Sequence, residues 1–265
     1  MPLRRPPVER ELKFWPVRLP ELREALEGQG GRLLFSCLVA NVYFDFPGRD
    51  PDTLFRLRIA GECAELAAKG PRLAAETKAR PEHETLVSDP RTASDLMAAA
   101  GARPVSREER WREEWALPDG VKVTIDRLAA DGVPLYAEIE APTGEQIRSA
   151  ASRLGLDGAE SAVITFEELC ALFGISFHET AGTFPPSLRL RREPVYPACP
   201  PPAPSGKVRA SVPYLSPTGR TITVERRGRG GYALFGASRL AVAEPEALEG
   251  ILTMLRCRPK GTLSE

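Results

Sequence analysis

The sequence is poor in the residues on which many metal and redox sites depend. Only two histidines occur among 265 residues, so a histidine-rich metal site is excluded. The five cysteines lie far apart, their number is odd and no C-x-x-C pair occurs, which argues against a thiolate zinc site and against a disulfide framework. These patterns predict a reducing, cytoplasmic compartment.

Long apolar runs and a net charge are missing as well. No run approaches the roughly 20 apolar residues that a membrane helix needs, and the basic N-terminus MPLRRPPVERE lacks the apolar region of a secretory signal. Lys and Arg number 36, as do Asp and Glu, which disfavours a globally basic nucleic-acid binder and an acidic disordered chain. We expect a globular protein that does not contact a membrane.

The hydrophobic share of 42% is sufficient for a substantial core, and the pattern along the chain indicates an α+β fold. Alternating residues between turn signals predict eight strands in the first half of the chain, at 8–15, 33–46, 54–60, 64–69, 76–87, 109–117, 121–128 and 134–141. Helical spacing and end signals predict helices at 19–28, 94–100, 144–154 and 165–173.

The proline content of the chain rises after residue 183. Ten of the 26 prolines lie between residues 184 and 217, which is typical of an extended linker. Residues 206–265 then predict a small β-rich unit that closes with a helix at 245–255. We therefore predict a domain at 1–183, a proline-rich linker at 184–205 and a C-terminal unit at 206–265.

Same-sign charged pairs recur on the predicted strands. Each pair has the i, i+2 spacing that places both side chains on one face of a strand, about 7 Å apart. The pairs are Glu9 and Glu11, Arg56 and Arg58, Glu82 and Glu84, Arg110 and Arg112, and Glu138 and Glu140. Two like charges at that separation repel by about 2.4 kcal/mol at an effective dielectric of about 20. A solvated sheet face explains any single pair, whereas the repetition favours bound counter-ions.

The chemistry of these pairs indicates which counter-ions would fit. Carboxylates without histidine or thiolate select hard cations such as Mg²⁺ or Mn²⁺. Arginine forks favour phosphate oxygens. The spacing thus predicts a strand-built cavity for a metal and a phosphorylated ligand, with the solvated sheet face as the alternative.

The sequence around these pairs resembles a known family. Residues 9–13 read ERELK, similar to an E-x-E-x-K signature, and further segments follow in order at 42–45 (VYFD), 54–58 (LFRLR), 69–71 (KGP), 80–84 (RPEHE), 110–115 (RWREEW), 124–126 (TID), 136–140 (YAEIE) and 165–169 (TFEEL). Together they resemble the CYTH superfamily, the triphosphate tunnel group of class IV adenylyl cyclases, thiamine triphosphatases and inorganic tripolyphosphatases. The resemblance extends over roughly residues 8–175. Ala67 departs from it, since the family often has Thr there.

The resemblance implies an eight-stranded antiparallel β-barrel that is open as a tunnel, with flanking helices. It implies that one or two Mg²⁺ or Mn²⁺ ions are held by Glu9, Glu11, Asp126, Glu138 and Glu140. It also implies that a triphosphate is bound by Lys13, Arg56, Arg58, Lys69, Arg110 and Arg112, joined by Lys78 and Arg80. We assign the catalytic roles to Glu11 and Lys13, and we expect Glu82 and Glu84 to orient the cations.

The implied activity is divalent-metal-dependent hydrolysis of a triphosphate, which is inorganic tripolyphosphate, thiamine triphosphate or a nucleoside triphosphate. The first alternative is a class IV adenylyl cyclase, in which the ribose 3′-hydroxyl attacks the α-phosphorus of ATP and expels pyrophosphate. The second is a non-catalytic triphosphate sensor. The full set of acidic residues argues against a sensor, which could lose its metal ligands.

Residues 189–231 are locally basic, with nine Lys or Arg against two Glu. This net charge of +7 favours a solvated linker and a small domain that balance an acidic remainder, and a contact with nucleic acid or polyphosphate is the alternative. The sequence leaves a homodimer open. The G-x-G-x-x-A pattern at 228–233 predicts a hairpin turn, because no helix follows it.

Overall fold

The computed structural model describes residues 8–73, 78–129, 132–176, 194–197 and 202–260. Within this range the side chains of Val8, Glu9 and Lys78 are not described. None of the helices in the described segments is long and apolar enough to cross a membrane.

Eight strands close into one antiparallel barrel, which confirms the predicted fold class. They are β1 (Val8–Trp15), β2 (Arg32–Asp45), β3 (Leu54–Ala60), β4 (Cys63–Lys69), β5 (Lys78–Val87), β6 (Arg103–Ala116), β7 (Lys122–Leu128) and β8 (Tyr136–Glu140). Around the barrel the order is β1, β5, β4, β3, β2, β6, β7, β8 and back to β1. Closure pairs every barrel strand on both sides.

Side chains alternate between the inner and outer faces of the barrel, and the apolar core lies outside the barrel wall. On β3, Phe55 and Leu57 are buried in an outer core, whereas Arg56 and Arg58 line the inner cavity. The helices α1 (Leu19–Gly28) and α3 (Gly144–Arg153) cover one side, over β1 and β6–β8. The helix α2 (Pro90–Ala99) covers β3–β5, and Asp89 caps it by accepting a hydrogen bond from the Thr92 amide.

Two short elements follow α3 near one end of the barrel. The strand β9 (Glu160–Ala162) pairs with β1, and the helix α4 (Phe166–Leu172) begins with the predicted capping box. The Thr165 side chain accepts from the Glu168 amide, and the Glu168 carboxylate accepts from the Thr165 amide.

The C-terminal strands extend the sheet of the barrel. They are β10 (Ala210–Leu215), β11 (Thr221–Arg226), β12 (Gly231–Phe235), β13 (Ser238–Val242) and β14 (Arg258–Pro259), with α5 (Pro245–Met254) before the last strand. Val242 of β13 pairs with Val87 at the end of β5. Ile222, Leu240 and Ile251 then share one apolar core with Phe55 and Leu66 of the barrel. The strands are therefore packed on the barrel, while the domain boundaries stay a prediction.

Some elements differ from the sequence-based expectation. The strand β6 begins at Arg103, six residues before the predicted start, because it pairs along the whole length of β2 as far as the pair Asp45 and Arg103. Residues 103–108 lack apolar alternation and therefore carry no strand signal. Cys63 is disulfide-bonded, although the cysteine spacing argued against disulfides. Residues 228–230 form the turn between β11 and β12, as predicted.

Candidate functional site

The inside of the barrel is a charged cavity of about 210 Å³. Among the described residues, its cationic lining consists of Lys13, Arg56, Arg58, Lys69, Arg80, Arg110, Arg112 and Lys122. The acidic lining of the same part of the chain consists of Glu11, Glu65, Glu84, Glu114, Glu138 and Glu140. Alternation along the strands places these side chains inside, because residues i and i+2 share one face.

Strands β1 and β8 bring together the predicted catalytic pair and two predicted metal ligands. Glu11 lies opposite Glu140 in the sheet register, and Lys13 lies opposite Glu138. The Lys13 ammonium is 3.1 Å from Glu11 Oε1 and also contacts Glu138. Burial would lower the pKa of Lys13, but the charges of Glu11 and Glu138 outweigh it and raise that pKa. Lys13 is therefore a fixed positive charge between two carboxylates.

Glu140 is more exposed than Glu11 and Glu138, the other two described cavity carboxylates of β1 and β8. Glu140 Oε2 accepts a hydrogen bond from Lys122 Nζ at 3.0 Å, and both side chains are partly exposed. Glu138 Oε2 accepts from Thr124 Oγ1 at 3.3 Å. Glu9 lies two residues before Glu11 on β1, where its backbone pairs with Arg80, and its side chain lies outside the described residues.

Strands β6 and β7 hold a buried arginine network. Asp126 has no exposed surface, and its Oδ1 accepts from Arg112 Nε at 2.7 Å. Its Oδ2 accepts from Arg112 Nη2 and, at 2.9 Å, from Arg110 Nη1. Both oxygens of Asp126 are thus engaged by arginines, and the residue does not line the open cavity. This geometry suits orientation of Arg110 and Arg112, and the predicted metal role of Asp126 is not tested by it.

Glu108 holds the other side of Arg110. Its two carboxylate oxygens accept from Arg110 Nε, each at 3.0 Å, and the Tyr43 hydroxyl donates to Oε1 at 3.2 Å. Asn41 donates to the same oxygen. The ring of Phe166 covers Arg110, with the guanidinium carbon 4.2 Å from the ring centroid. Arg110 is consequently fixed from several sides.

A second cationic group lies on β3. Arg56 Nη2 is 2.9 Å from Glu65 Oε1 and 3.3 Å from Glu84 Oε1. Arg58 donates from Nε to Asn41 Oδ1 at 3.1 Å, while its Nη1 is 3.9 Å from Glu65. Burial and the neighbouring charges of Arg56 and Arg112 lower the pKa of Arg58, although Glu65 and Glu84 oppose this. Arg58 is therefore less fully balanced by acids than Arg56, whose pKa Glu65 and Glu84 raise in spite of its burial.

Two buried arginine donors beside the cavity have no acceptor among the described residues. Nε of Arg56 and Nε of Arg80 are both buried, and neither finds an acceptor within the described ranges. Burial lowers the pKa of Arg80, Asp52 at 3.1 Å raises it, and Arg72 lowers it again, so that the net direction is downward. Buried polar groups are normally satisfied, and an unsatisfied donor beside a cavity suits an anionic ligand.

Further predicted residues lie at the β4–β5 side and are paired with acids. Lys69 Nζ is 2.9 Å from Glu82 Oε1. Glu82 contacts Lys69 and Glu84 contacts Arg56, as we expect if these two carboxylates orient the cations. The Glu84 carboxyl is desolvated, but Glu82, Arg56 and Lys69 lower its pKa to about 2. The Lys78 backbone pairs with Glu11 in the register, and its side chain lies outside the described residues.

The sequence reasoning missed several residues of the cavity and of its surroundings. Glu65, Glu114 and Lys122 line the cavity, and Asn41 and Glu108 contact Arg58 and Arg110. Alternation could have found Glu114, because it continues the face of Arg110 and Arg112 within the predicted strand 109–117. Glu108 continues that face in the other direction but lies before the predicted start of the strand. Glu65 required the register, in which it lies opposite Arg58.

The donor set of the cavity fits a hard divalent cation. Glu11, Glu138 and Glu140 supply only carboxylate oxygens, which is the chemistry that Mg²⁺ and Mn²⁺ prefer. Within the described segments, no three potential ligands converge on one point. Lys13 lies between two of these carboxylates.

Comparison with known proteins agrees with this barrel. The model of the CYTH domain family matches residues 8–162, which is more than half of the chain. The chain belongs to the CYTH domain family. Members of this family are triphosphatases or adenylate cyclase-like enzymes, and they generally use divalent metals. No curated protein matches the chain.

Solved structures of other CYTH-type proteins share the fold. Two proteins of Pyrococcus horikoshii OT3, each 24% identical, have TM-scores of 0.50 and 0.51 and cover 61% and 62% of this chain and 98% of their own. A Vibrio parahaemolyticus protein described as an adenylate cyclase candidate is 17% identical, with a TM-score of 0.51, and covers 62% of this chain and 97% of its own. At these identities the likeness establishes the fold of the CYTH barrel.

Proposed function

We propose that this CYTH protein hydrolyses a compact triphosphate inside the barrel, with a divalent metal. The observation that carries the proposal is that one cavity brings together eight cationic side chains with the carboxylates Glu11, Glu138 and Glu140. Arg58 is half-buried and Arg80 is buried, and the surroundings of each lower its pKa. A metal-bound polyanion would supply negative charge to the arginines and a cation to the carboxylates.

The arginines would bind and align the phosphate chain. Arg56 and Arg58 present guanidinium groups from one strand, and Arg112 presents another from β6. Arginine forks bind phosphate oxygens in pairs of parallel hydrogen bonds. Phosphoryl transfer depends mainly on such positioning and on charge stabilisation. Asp126 and Glu108 keep Arg110 and Arg112 in place, so that little reorganisation is needed when the substrate arrives.

Glu11, Glu138 and Glu140, together with Glu9, are the residues that would hold the metal, Mg²⁺ or Mn²⁺. When bound, such an ion lowers the pKa of a water molecule and stabilises charge on phosphoryl oxygens. Lys13 stays protonated because its two carboxylate neighbours raise its pKa. In our proposal it therefore contributes positive charge toward the phosphates and does not serve as a general base.

The size and polarity of the cavity favour inorganic triphosphate over a triphosphate with an organic group. Ligand sites for drug-sized molecules usually measure about 300–1,000 Å³, whereas this cavity measures about 210 Å³. Its described lining is almost entirely charged, with Leu54, Tyr43 and Phe166 as the larger apolar or aromatic contributions. Phe166 is already stacked on Arg110.

Adenylyl cyclisation is the second candidate, since the similar Vibrio parahaemolyticus protein is described as an adenylate cyclase candidate. A triphosphate sensor is the third. The reactions differ in which phosphorus meets the activated oxygen. The two enzymes therefore release different products from the same type of cavity.

Product analysis tests the proposal. The protein is incubated with Mg²⁺ or Mn²⁺ and with inorganic tripolyphosphate, thiamine triphosphate or ATP. We expect orthophosphate, with inorganic tripolyphosphate turned over fastest, and we expect Glu140→Gln to lose most of the activity. Glu145→Gln on the exposed surface of α3 is the matched control and should retain it. Pyrophosphate with cyclic AMP would replace the proposal by cyclisation, and tight binding without turnover would replace it by sensing.

A further inference from the structure

A carboxylate occupies part of the arginine side of the cavity. Glu65 of β4 lies opposite Arg58 in the strand register, and its Oε1 is 2.9 Å from Arg56 Nη2 and 3.9 Å from Arg58 Nη1. Its side chain is 23% exposed and lines the cavity. One acid thus lies within ion-pair distance of Arg56 and Arg58, two of the arginines that the proposed function assigns to phosphate binding.

The position of this carboxylate resembles that of a bound phosphate oxygen. Charge-assisted hydrogen bonds from a guanidinium to a phosphate have donor–acceptor distances of about 2.7–2.9 Å. Glu65 Oε1 already lies at such a distance from Arg56 Nη2. A phosphate that binds both arginines must therefore displace Glu65 or come close to its negative charge.

Glu65 differs from the other carboxylates that contact the arginines. Asp126 and Glu108 have no exposed surface and bind Arg110 and Arg112 from behind. Glu84 contacts Arg56 at 3.3 Å. Glu138 lines the cavity and contacts Arg112 at 3.2 Å, but it is one of the proposed metal ligands. Glu65 lies between Arg56 and Arg58 on the open side.

We propose that Glu65 is an internal competitor of phosphate that sets the affinity and the selectivity of the barrel. This inference rests on the proposed function. Because Glu65 repels every anion that enters, weakly held anions gain too little from the remaining cations to displace it. Tripolyphosphate, which contacts more of the lining, displaces it, and the shorter products leave readily.

Metal-free binding tests this inference without turnover. Tripolyphosphate and pyrophosphate are titrated by calorimetry, in the presence of EDTA, into the wild-type protein and into Glu65→Gln. We expect Glu65→Gln to bind tripolyphosphate about ten-fold more tightly and pyrophosphate by a larger factor, so that the preference for the longer anion becomes smaller. Under turnover it should show a lower KM, stronger inhibition by pyrophosphate and a lower kcat, since product release is slowed.

Glu114→Gln is the matched control, because Glu114 lines the same cavity and loses the same charge. A role of Glu65 in local competition predicts a much smaller gain for Glu114→Gln. Equal gains would show that only the net charge matters and would overturn the inference. Weaker or unchanged binding by Glu65→Gln would also overturn it, because the carboxylate would then be a support for Arg56.

Two further measurements keep the result interpretable. Glu65→Asp withdraws the carboxylate by one methylene and should give an intermediate gain, which provides a second variant if Glu65→Gln does not fold. A wild-type protein that binds no tripolyphosphate with EDTA or with Mg²⁺ would overturn the proposed function together with this inference, and binding that needs Mg²⁺ would overturn the inference alone. A wild-type protein that binds it, with no gain in either variant, would overturn the inference alone.

Discussion

Gly250 of α5 lies against the imidazole ring of His83 on β5. A β-carbon at Gly250 would lie 2.4 Å from two ring atoms of His83, closer than real side chains approach. His83 alternates with Glu82 and Glu84, so its ring is on the outer face of the strand whose inner face carries those acids. The C-terminal helix therefore rests on the back of a strand of the cavity.

Gly250→Ala should destabilise the protein. In an exposed helix the same change would stabilise by roughly 1 kcal/mol through helix propensity. Here the new methyl group would collide with His83, and such overpacking typically costs about 1–3 kcal/mol. Thermal unfolding of the variant should show a lower Tm. The double variant Gly250→Ala with His83→Ala relieves the collision and should recover most of the loss, whereas additive losses would contradict the contact.

The pH dependence of stability should report the same contact. Burial lowers the pKa of His83 below its ordinary value of 6.5. As the pH falls through 6.5, the unfolded chain takes up the proton first, so the folded state loses relative stability. We expect Tm to decline between pH 7.5 and 5.5, and to decline less in His83→Gln. Identical slopes for the two proteins would contradict the prediction.

Asp126→Asn should separate orientation from metal binding. The change removes the charge that holds Arg110 and Arg112, and breaking such a buried pair typically costs about 3–5 kcal/mol of stability. Since Asp126 does not line the cavity, the metal concentration for half-maximal activity should stay near that of the wild type. Glu140→Gln should raise that concentration. If both variants raise it equally, Asp126 is a metal ligand, as the family resemblance implied.

Arg58→Met should weaken substrate binding without lowering Tm. Burial and the charges of Arg56 and Arg112 lower the pKa of Arg58, so its charge is unfavourable when no anion is bound. Its removal relieves that repulsion, while KM for tripolyphosphate should rise ten-fold or more. Arg56→Met should instead lower Tm, because Glu65 and Glu84 lose their partner. A large fall of Tm in Arg58→Met would contradict the charge imbalance.

The C-terminal sheet offers a basic cluster for a nucleic-acid contact, which stays a proposal. Around the 205–209 segment and the β11–β12 turn lie Lys207, Arg209, Arg227, Arg229 and Glu225. The ring of Tyr232 is covered by Arg239, whose guanidinium carbon is 3.5 Å from the ring centroid. We expect single-stranded RNA to bind with an affinity that falls steeply with salt.

Fluorescence anisotropy with a labelled oligonucleotide measures that contact. Replacing Arg209 and Arg229 by Gln should reduce the affinity and the slope of its salt dependence. Replacing exposed Arg148 and Arg153 of α3 is the control for a comparable loss of charge elsewhere. The absence of binding at low salt would exclude this partner.

The barrel and most of its lining could be predicted from the sequence because both follow from alternation. Glu138 and Glu140 must share a face wherever β8 pairs, and the same holds for Arg56 and Arg58. The partners of these residues could not be predicted. That Glu65 contacts two arginines depends on the register of β3 and β4, which no local pattern encodes.

The burial of Asp126 could not be predicted either, because the sequence pattern of an aspartate on a barrel strand is the same whether its side chain faces a metal or an arginine. The packing of the C-terminal strands depends on the pairing of Val87 with Val242, which are separated by 154 intervening residues in the chain. An apolar residue at the end of a strand predicts that its side chain is buried, but it does not indicate which residue it pairs with.

Strand β5 belongs both to the barrel and to the C-terminal extension of the sheet, since it pairs with β1 and β4 in the barrel and with β13 beyond it. A shift of β5 by one residue would turn Arg80 outward and His83 inward, and it would break the junction with β13 at the same time. The pairings with β1, β4 and β13 therefore all oppose a shift of this strand. A new substrate specificity can arise here by the exchange of single side chains, whereas an insertion within β5 would disrupt the barrel and the C-terminal strands together.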